Sequence, residues 1–165
     1  MKKIIYLLFG IIFFASCEKD DICEAETATT PRIIIEFYDT APTPSLKKIA
    51  NLKVIGEGMT DFYLFKDVSK IQLPLKTAFD ITKYRFIINS DNAATQNEDE
   101  IEFHYTRKDI FISRACGFKT LFYLDATSPF TKTDASINDG FWIQNIIVTT
   151  SNIETENETH INIFY

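Results

Sequence analysis

The chemistry open to this chain rests on two imidazoles, three thiols and two acid-rich segments. His104 and His160 each sit on the polar phase of an alternating segment, with Glu102 beside the first and Asn162 beside the second. A general base or metal ligand needs a partner that converges on it, and one alternating strand shows none, so both are expected to be exposed sheet histidines. No G-x-S-x-G motif is present. Spacing does not decide against a Ser-His-Asp set, because triads are defined by geometry. Asp91-Asn92, Asn97-Glu98-Asp99-Glu100 and the later Asp134, Asn138 and Asp139 offer oxygens that suit calcium, but neither region has the EF-hand spacing with its glycine. Solvated loop is the expected state of both. Trp142 with Phe141 and Phe130 offers a sugar-stacking platform, against the commoner case of a core tryptophan at a strand start.

The most informative thiol is Cys17. Lys2 and Lys3 precede an apolar run from Ile4 to Phe14, and Phe14-Ala15-Ser16-Cys17 closes it. A membrane-crossing helix needs roughly 20 apolar residues, so this run is too short for a permanent span. Charged, apolar and small-residue regions in that order make residues 1–16 a lipoprotein signal peptide and Cys17 a lipidated N-terminus, with ordinary secretion as the alternative. Bacterial lipoprotein boxes usually carry Leu three residues before the cysteine; Phe14 is another large apolar residue. Acyl burial contributes ~0.8 kcal/mol per CH₂, so several chains on one cysteine hold firmly. Lys19-Asp20-Asp21 resembles the surface-export signal of Bacteroidota lipoproteins; a merely solvated tether is the alternative.

Lipidation leaves Cys23 and Cys116, an even number in an oxidising compartment. They are too far apart for a C-x-x-C motif, and a structural disulfide is the favoured reading. Such a bridge is worth ~4.6 kcal/mol in the chain-entropy model. The competing reading is two separate thiols, with Cys116 in the core.

Removing 16 residues from 165 leaves 149, a size that suits one domain with a substantial core. Lys+Arg is 17 and Asp+Glu is 23; without Lys2 and Lys3 the mature balance is 15 − 23 = −8. Such a surface repels phosphate backbones, so nucleic acid is not an expected partner. Fifteen Phe and seven Tyr, with many Ile and Thr, favour strands.

Residues 17–31 read as lipidated cysteine and tether, and 32–165 as the folded domain. Alternation predicts strands at Arg32–Asp39, Leu52–Ile55, Phe62–Phe65, Ile71–Leu75 and Tyr84–Ile88. It continues at Ile101–Thr106, Asp109–Arg114, Phe118–Asp125, Trp142–Thr150 and His160–Tyr165. Pro74 marks an edge strand. Asn89–Glu100 and Ala126–Gly140 read as loops. Strands at these intervals without an amphipathic helix predict an all-β fold: an antiparallel β-sandwich, immunoglobulin-like, of about nine strands. The last strand should be paired rather than frayed.

Three segments together, Cys17–Cys23, Pro31–Asp39 and Phe111–Phe118, resemble an uncharacterised family of small Bacteroidota cell-envelope lipoproteins, over nearly the whole chain. The resemblance implies the location, a paired Cys23 and Cys116, and a single β domain; it supplies no catalytic residue. The expectation is a non-enzymatic outer-membrane lipoprotein, needing no cofactor and no metal. Its partners would be the membrane, through the lipid, and another envelope protein such as an outer-membrane barrel. A carbohydrate- or calcium-binding domain for nutrient capture is the alternative. Exposed aromatics on one sheet face would favour glycan, and a flat apolar patch on an edge would favour a protein.

Overall fold

The computed structural model describes residues 22–135 and 139–165. Cys17, Lys19, Asp20 and Asp21, and Asn138 in the later loop, lie outside the described residues. The chain divides into two compact units. The described part of the first is residues 22–29 with Ile110–Lys119; the second is Thr30–Asp109 with Thr120–Tyr165. No helix among the described residues is long and apolar enough to cross a membrane.

Among the described residues eleven strands form two sheets in a sandwich-like, all-β arrangement. They are β1 (Ile33–Tyr38), β2 (Ile49–Gly56), β3 (Phe62–Val68), β4 (Lys70–Leu73), β5 (Ile81–Ile88) and β6 (Asn97–Ser113). β7 (Gly117–Leu124), β8 (Phe130–Asp134), β9 (Asn145–Val148), β10 (Asn152–Ile153) and β11 (Ile161–Phe164) follow. One sheet runs β4-β1-β11-β9 and the other β10-β7-β6-β5-β2-β3, with β8 also on β6.

Period-two burial explains the layers. Ile33, Ile35 and Phe37 of β1 are fully buried and meet Leu52 and Val54 of β2, Phe86 of β5 and Ile101 and Phe103 of β6 in one apolar core. Burying a side chain of this size contributes about 1.5–3 kcal/mol. β4 is an edge strand that ends at Leu73, one residue before Pro74, as a residue without an N–H requires. β11 lies inside its sheet, so the last strand is paired. Its pairing with β1 is parallel, Ile35 opposite Ile161 and Phe37 opposite Ile163, where an antiparallel sandwich was expected throughout. The other strand pairings with a described register are antiparallel.

Several elements differ from the sequence expectation. β6 is one strand of 17 residues, not two, because Arg107 and Lys108 interrupt the apolar alternation without breaking the backbone. Its first four residues, Asn97 to Glu100, were expected in a loop. β8 lies inside the expected Ala126–Gly140 loop; its Thr131 and Thr133 are β-branched, but no residue in it is fully buried, so no apolar period marks it. The predicted Trp142–Thr150 strand shrinks to β9. Trp142 and Ile143 are buried without being strand, Trp142 donating its indole N–H to the Phe86 carbonyl at 3.0 Å. The two-residue β10 buries Ile153 completely.

In the smaller unit Cys23 and Cys116 form a disulfide with Cα atoms 4.9 Å apart. Cys116 sits at the β6–β7 turn, where its N–H donates to Ser113 Oγ at 3.0 Å and Gly117 takes a positive φ of 70°. It is half-buried rather than a core thiol. Phe111 and Phe118 pack edge to face across this hairpin, ring centroids 5.3 Å apart, and both remain exposed.

Candidate functional site

The two histidines diverge. His104 is tied on both ring nitrogens: Nδ1 lies 2.9 Å from the Ser128 carbonyl and Nε2 2.9 Å from Glu102 Oε1. No ring nitrogen is left for a substrate. His160 contradicts the expectation of an exposed sheet histidine, for it is completely buried. The Ile34 side chain on the paired strand is also buried, so the sheet is covered on the face where a polar phase should meet water. The Ile34 N–H donates to His160 Nδ1 at 2.9 Å, and burial pushes the imidazole below its ordinary pKa.

Trp142 is a core residue, its ring edge-to-face with Tyr165 at 5.7 Å. The stacking platform expected as one option is therefore absent at this residue. Phe141 is exposed, but the Lys132 ammonium sits 4.0 Å over its ring.

The two acid-rich segments meet. Asp99 of β6 and Asp134 of β8 are direct cross-strand partners, and Asn97 lies one inward step along β6. All three hold the chain just before β9. Asn97 donates its amide to the Gly140 carbonyl at 2.7 Å, and the Gly140 N–H donates to Asp134 Oδ2 at 3.0 Å. The Ile143 N–H donates to Asp99 Oδ2 at 2.7 Å, and the Trp142 N–H also favours that carboxylate. Asp99 is completely buried, and burial raises its pKa to about 6. The Asp134 charge pushes the same way, against the backbone N–H groups and Lys132. Sequence reading placed Asn97 and Asp99 in a solvated loop; they are paired strand residues of the inward phase.

An apolar surface feature lies at the edge of the larger sheet. Among the described residues β3 pairs with β2 on one side and ends the sheet on the other. Phe62, Tyr63 and Leu64 are 52%, 44% and 50% exposed, so apolar side chains stand on both faces of this edge. Tyr63 and Phe65 stack at 6.2 Å, and Lys53 covers Phe62 at 4.3 Å. Beside them opens a pocket of about 400 Å³, lined by Met59, Tyr63, Leu75 and Tyr84 with Asp61 and Lys83 among its polar groups. Tyr84 is fixed in its wall by a hydrogen bond to the Pro74 carbonyl. Burial holds its hydroxyl well above the ordinary range. Gly56 belongs here because a Cβ would approach Met59 Cγ to 3.2 Å. The run Phe62-Tyr63-Leu64-Phe65 was legible as a strand, but its exposure was not.

Among the described residues no group of three or more His, Cys, Asp or Glu side chains is placed to hold a metal ion; the β6–β8 corner has two aspartates and an asparagine. These features define an all-β, disulfide-bonded, sandwich-like protein with an apolar sheet edge. The chain belongs to the family of unknown function DUF6452, whose model matches residues 51–165. No curated protein and no solved structure matches it.

Proposed function

We propose that this protein is a non-catalytic binding module of a Bacteroidota cell envelope, held in the outer membrane by lipid on Cys17 and docking a partner protein along β3. The exposed β3 edge carries the reading. An unpaired edge offers backbone donors and acceptors to an added strand, and natural edges are usually blunted by charge, proline or a cover. Here Lys66 and Asp67 put charge at one end of β3, but three consecutive large side chains, Phe62 to Leu64, are exposed at the other. Main-chain pairing would supply affinity, and the neighbouring pocket would take one apolar side chain of the partner. A sugar would use the Tyr63 and Phe65 rings and the polar groups beside them; a protein is favoured because the free sheet edge adds main-chain pairing and Trp142 is buried.

The anchor reading rests on the sequence before Cys17, and the bridge gives it a mechanical sense. Cys23 lies six residues after Cys17, a reach of about 20 Å when extended. The disulfide would hold the β6–β7 turn that close to the lipid. The immunoglobulin-like form of the sandwich belongs to the same proposal, supported by two facing sheets with a shared apolar core.

The test is Phe62→Glu with Leu64→Glu, compared with wild type in native gels of mild-detergent membrane extracts. Both side chains are half-exposed, and the carboxylate introduced at position 64 would face Lys53 across the strands, so the fold should survive. Wild type should run in a larger assembly and the double variant as the free lipoprotein. A wild type that runs free, or a variant that stays in the assembly, would overturn the reading.

A further inference from the structure

At the corner where β8 joins β6, each of three side chains spends one atom on the segment before β9 and leaves another with no partner. Asn97 Oδ1, Asp99 Oδ1 and Asp134 Oδ1 are all buried and accept no hydrogen bond among the described residues. They sit on adjacent positions, Asp99 opposite Asp134 and Asn97 two residues along on the same face. A buried acceptor without a donor costs roughly 1–3 kcal/mol, and more when charged. Three in one corner are the kind of gap that a bound water or ion fills. Lys132 does not fill that role. Its ammonium donates to the Ile143 carbonyl at 2.6 Å and covers the Phe141 ring. That leaves one committed cation beside two carboxylates.

We propose that Asn97, Asp99 and Asp134 form a calcium site, with one oxygen from each side chain and water completing the shell. The donor set is all oxygen: two carboxylates and one amide carbonyl. Hard cations take such donors, and calcium accepts mixed, irregular shells where magnesium demands a strict octahedron. Three protein oxygens place the affinity in the weak range of extracellular modules, about 10⁻⁴–10⁻³ M. The ion would lock the β6–β8 pair to the chain carrying Gly140 and Ile143. This site is separate from the β3 edge and does not depend on the docking proposal.

The experiment is terbium luminescence on the purified full chain at pH 7.5, with calcium as competitor, beside thermal unfolding with calcium or chelator. The expected result is one terbium per chain, displaced by millimolar calcium. At ten times the dissociation constant, calcium should raise the midpoint by about 3 °C or more. Asn97→Ala and Asp134→Asn should each weaken terbium binding about tenfold or more. Terbium that fails to bind wild type overturns the site without any variant having to fold. Unchanged binding in both variants overturns it as well. So would a wild-type midpoint indifferent to calcium, which would leave a proton shared by Asp99 and Asp134 as the missing partner.

Discussion

Cys23 and Cys116 stand 93 residues apart in sequence, with Cα atoms 4.9 Å apart, joined through sulfur at the turn of a hairpin. The bridge fastens the segment that follows Cys17 to the β6–β7 turn, and Phe111 and Phe118 pack across that hairpin. Free-thiol labelling of the unfolded, unreduced mature protein should find neither cysteine. Cys116→Ala should lower stability by roughly 2–5 kcal/mol in denaturant titrations. Two reactive thiols at Cys23 and Cys116 in protein isolated without reductant would contradict the bridge.

His160 is buried and neutral, with Nδ1 occupied by the Ile34 N–H. Its folded pKa lies below the ordinary 6.5, burial outweighing the pull of Glu158 and Glu156, while Lys70 lowers it further. Below pH ~6.5 the unfolded chain therefore binds more protons, and stability falls as pH drops toward the folded pKa. His160→Asn keeps an acceptor near Nδ1 and removes the titration. Urea unfolding between pH 5 and pH 8 should show a shallower acid-side loss in the variant. An identical pH slope in both proteins would show that His160 does not carry the effect.

Trp142 anchors the chain before β9 through the Phe86 carbonyl and the Tyr165 ring. Trp142→Phe keeps much of the apolar volume but removes that hydrogen bond, at a cost of about 0.5–1.5 kcal/mol in unfolding experiments. Trp142→Ala should cost about 3–5 kcal/mol. Wild-type emission, from the chain's one tryptophan, should be blue-shifted and shielded from iodide. Strong quenching in the folded protein would place the ring in water and return it to a binding role.

The sequence was most legible where alternation and burial coincide. β1, the Tyr84–Ile88 part of β5 and the Ile101–Tyr105 part of β6 bury at least every second residue, and these were evident from their Ile, Phe and Tyr periods. β8 escaped because neither of its faces is fully buried, leaving Thr131 and Thr133 as its only strand signal. His160 was misplaced because period two assigns its phase to solvent, and local sequence does not show that Ile34's face is covered too. Asn97, Asp99 and Asp134 were each visible as oxygen donors. Their meeting depends on the β6–β8 register, which pairs residues 35 positions apart and leaves no local trace.

The anchor has its own test. Cys17→Ala should abolish fatty-acid labelling and release the protein from membranes. Added protease should digest the lipidated wild type in intact cells. Replacing Lys19, Asp20 and Asp21 by Ala should protect it while leaving it lipidated. Membrane retention with continued acyl labelling in Cys17→Ala would contradict the lipid assignment.

The central claim is that β3 is the docking edge, and site-specific photocrosslinking in intact native cells tests it most directly. A photoreactive residue at Leu64 points from the exposed edge, and one at Thr133 reports on the exposed side of β8 as a control. One discrete adduct of fixed mass is expected from position 64, absent from position 133 and lost when Phe62→Glu is added. No adduct at position 64, or the same adduct from both positions, would contradict it.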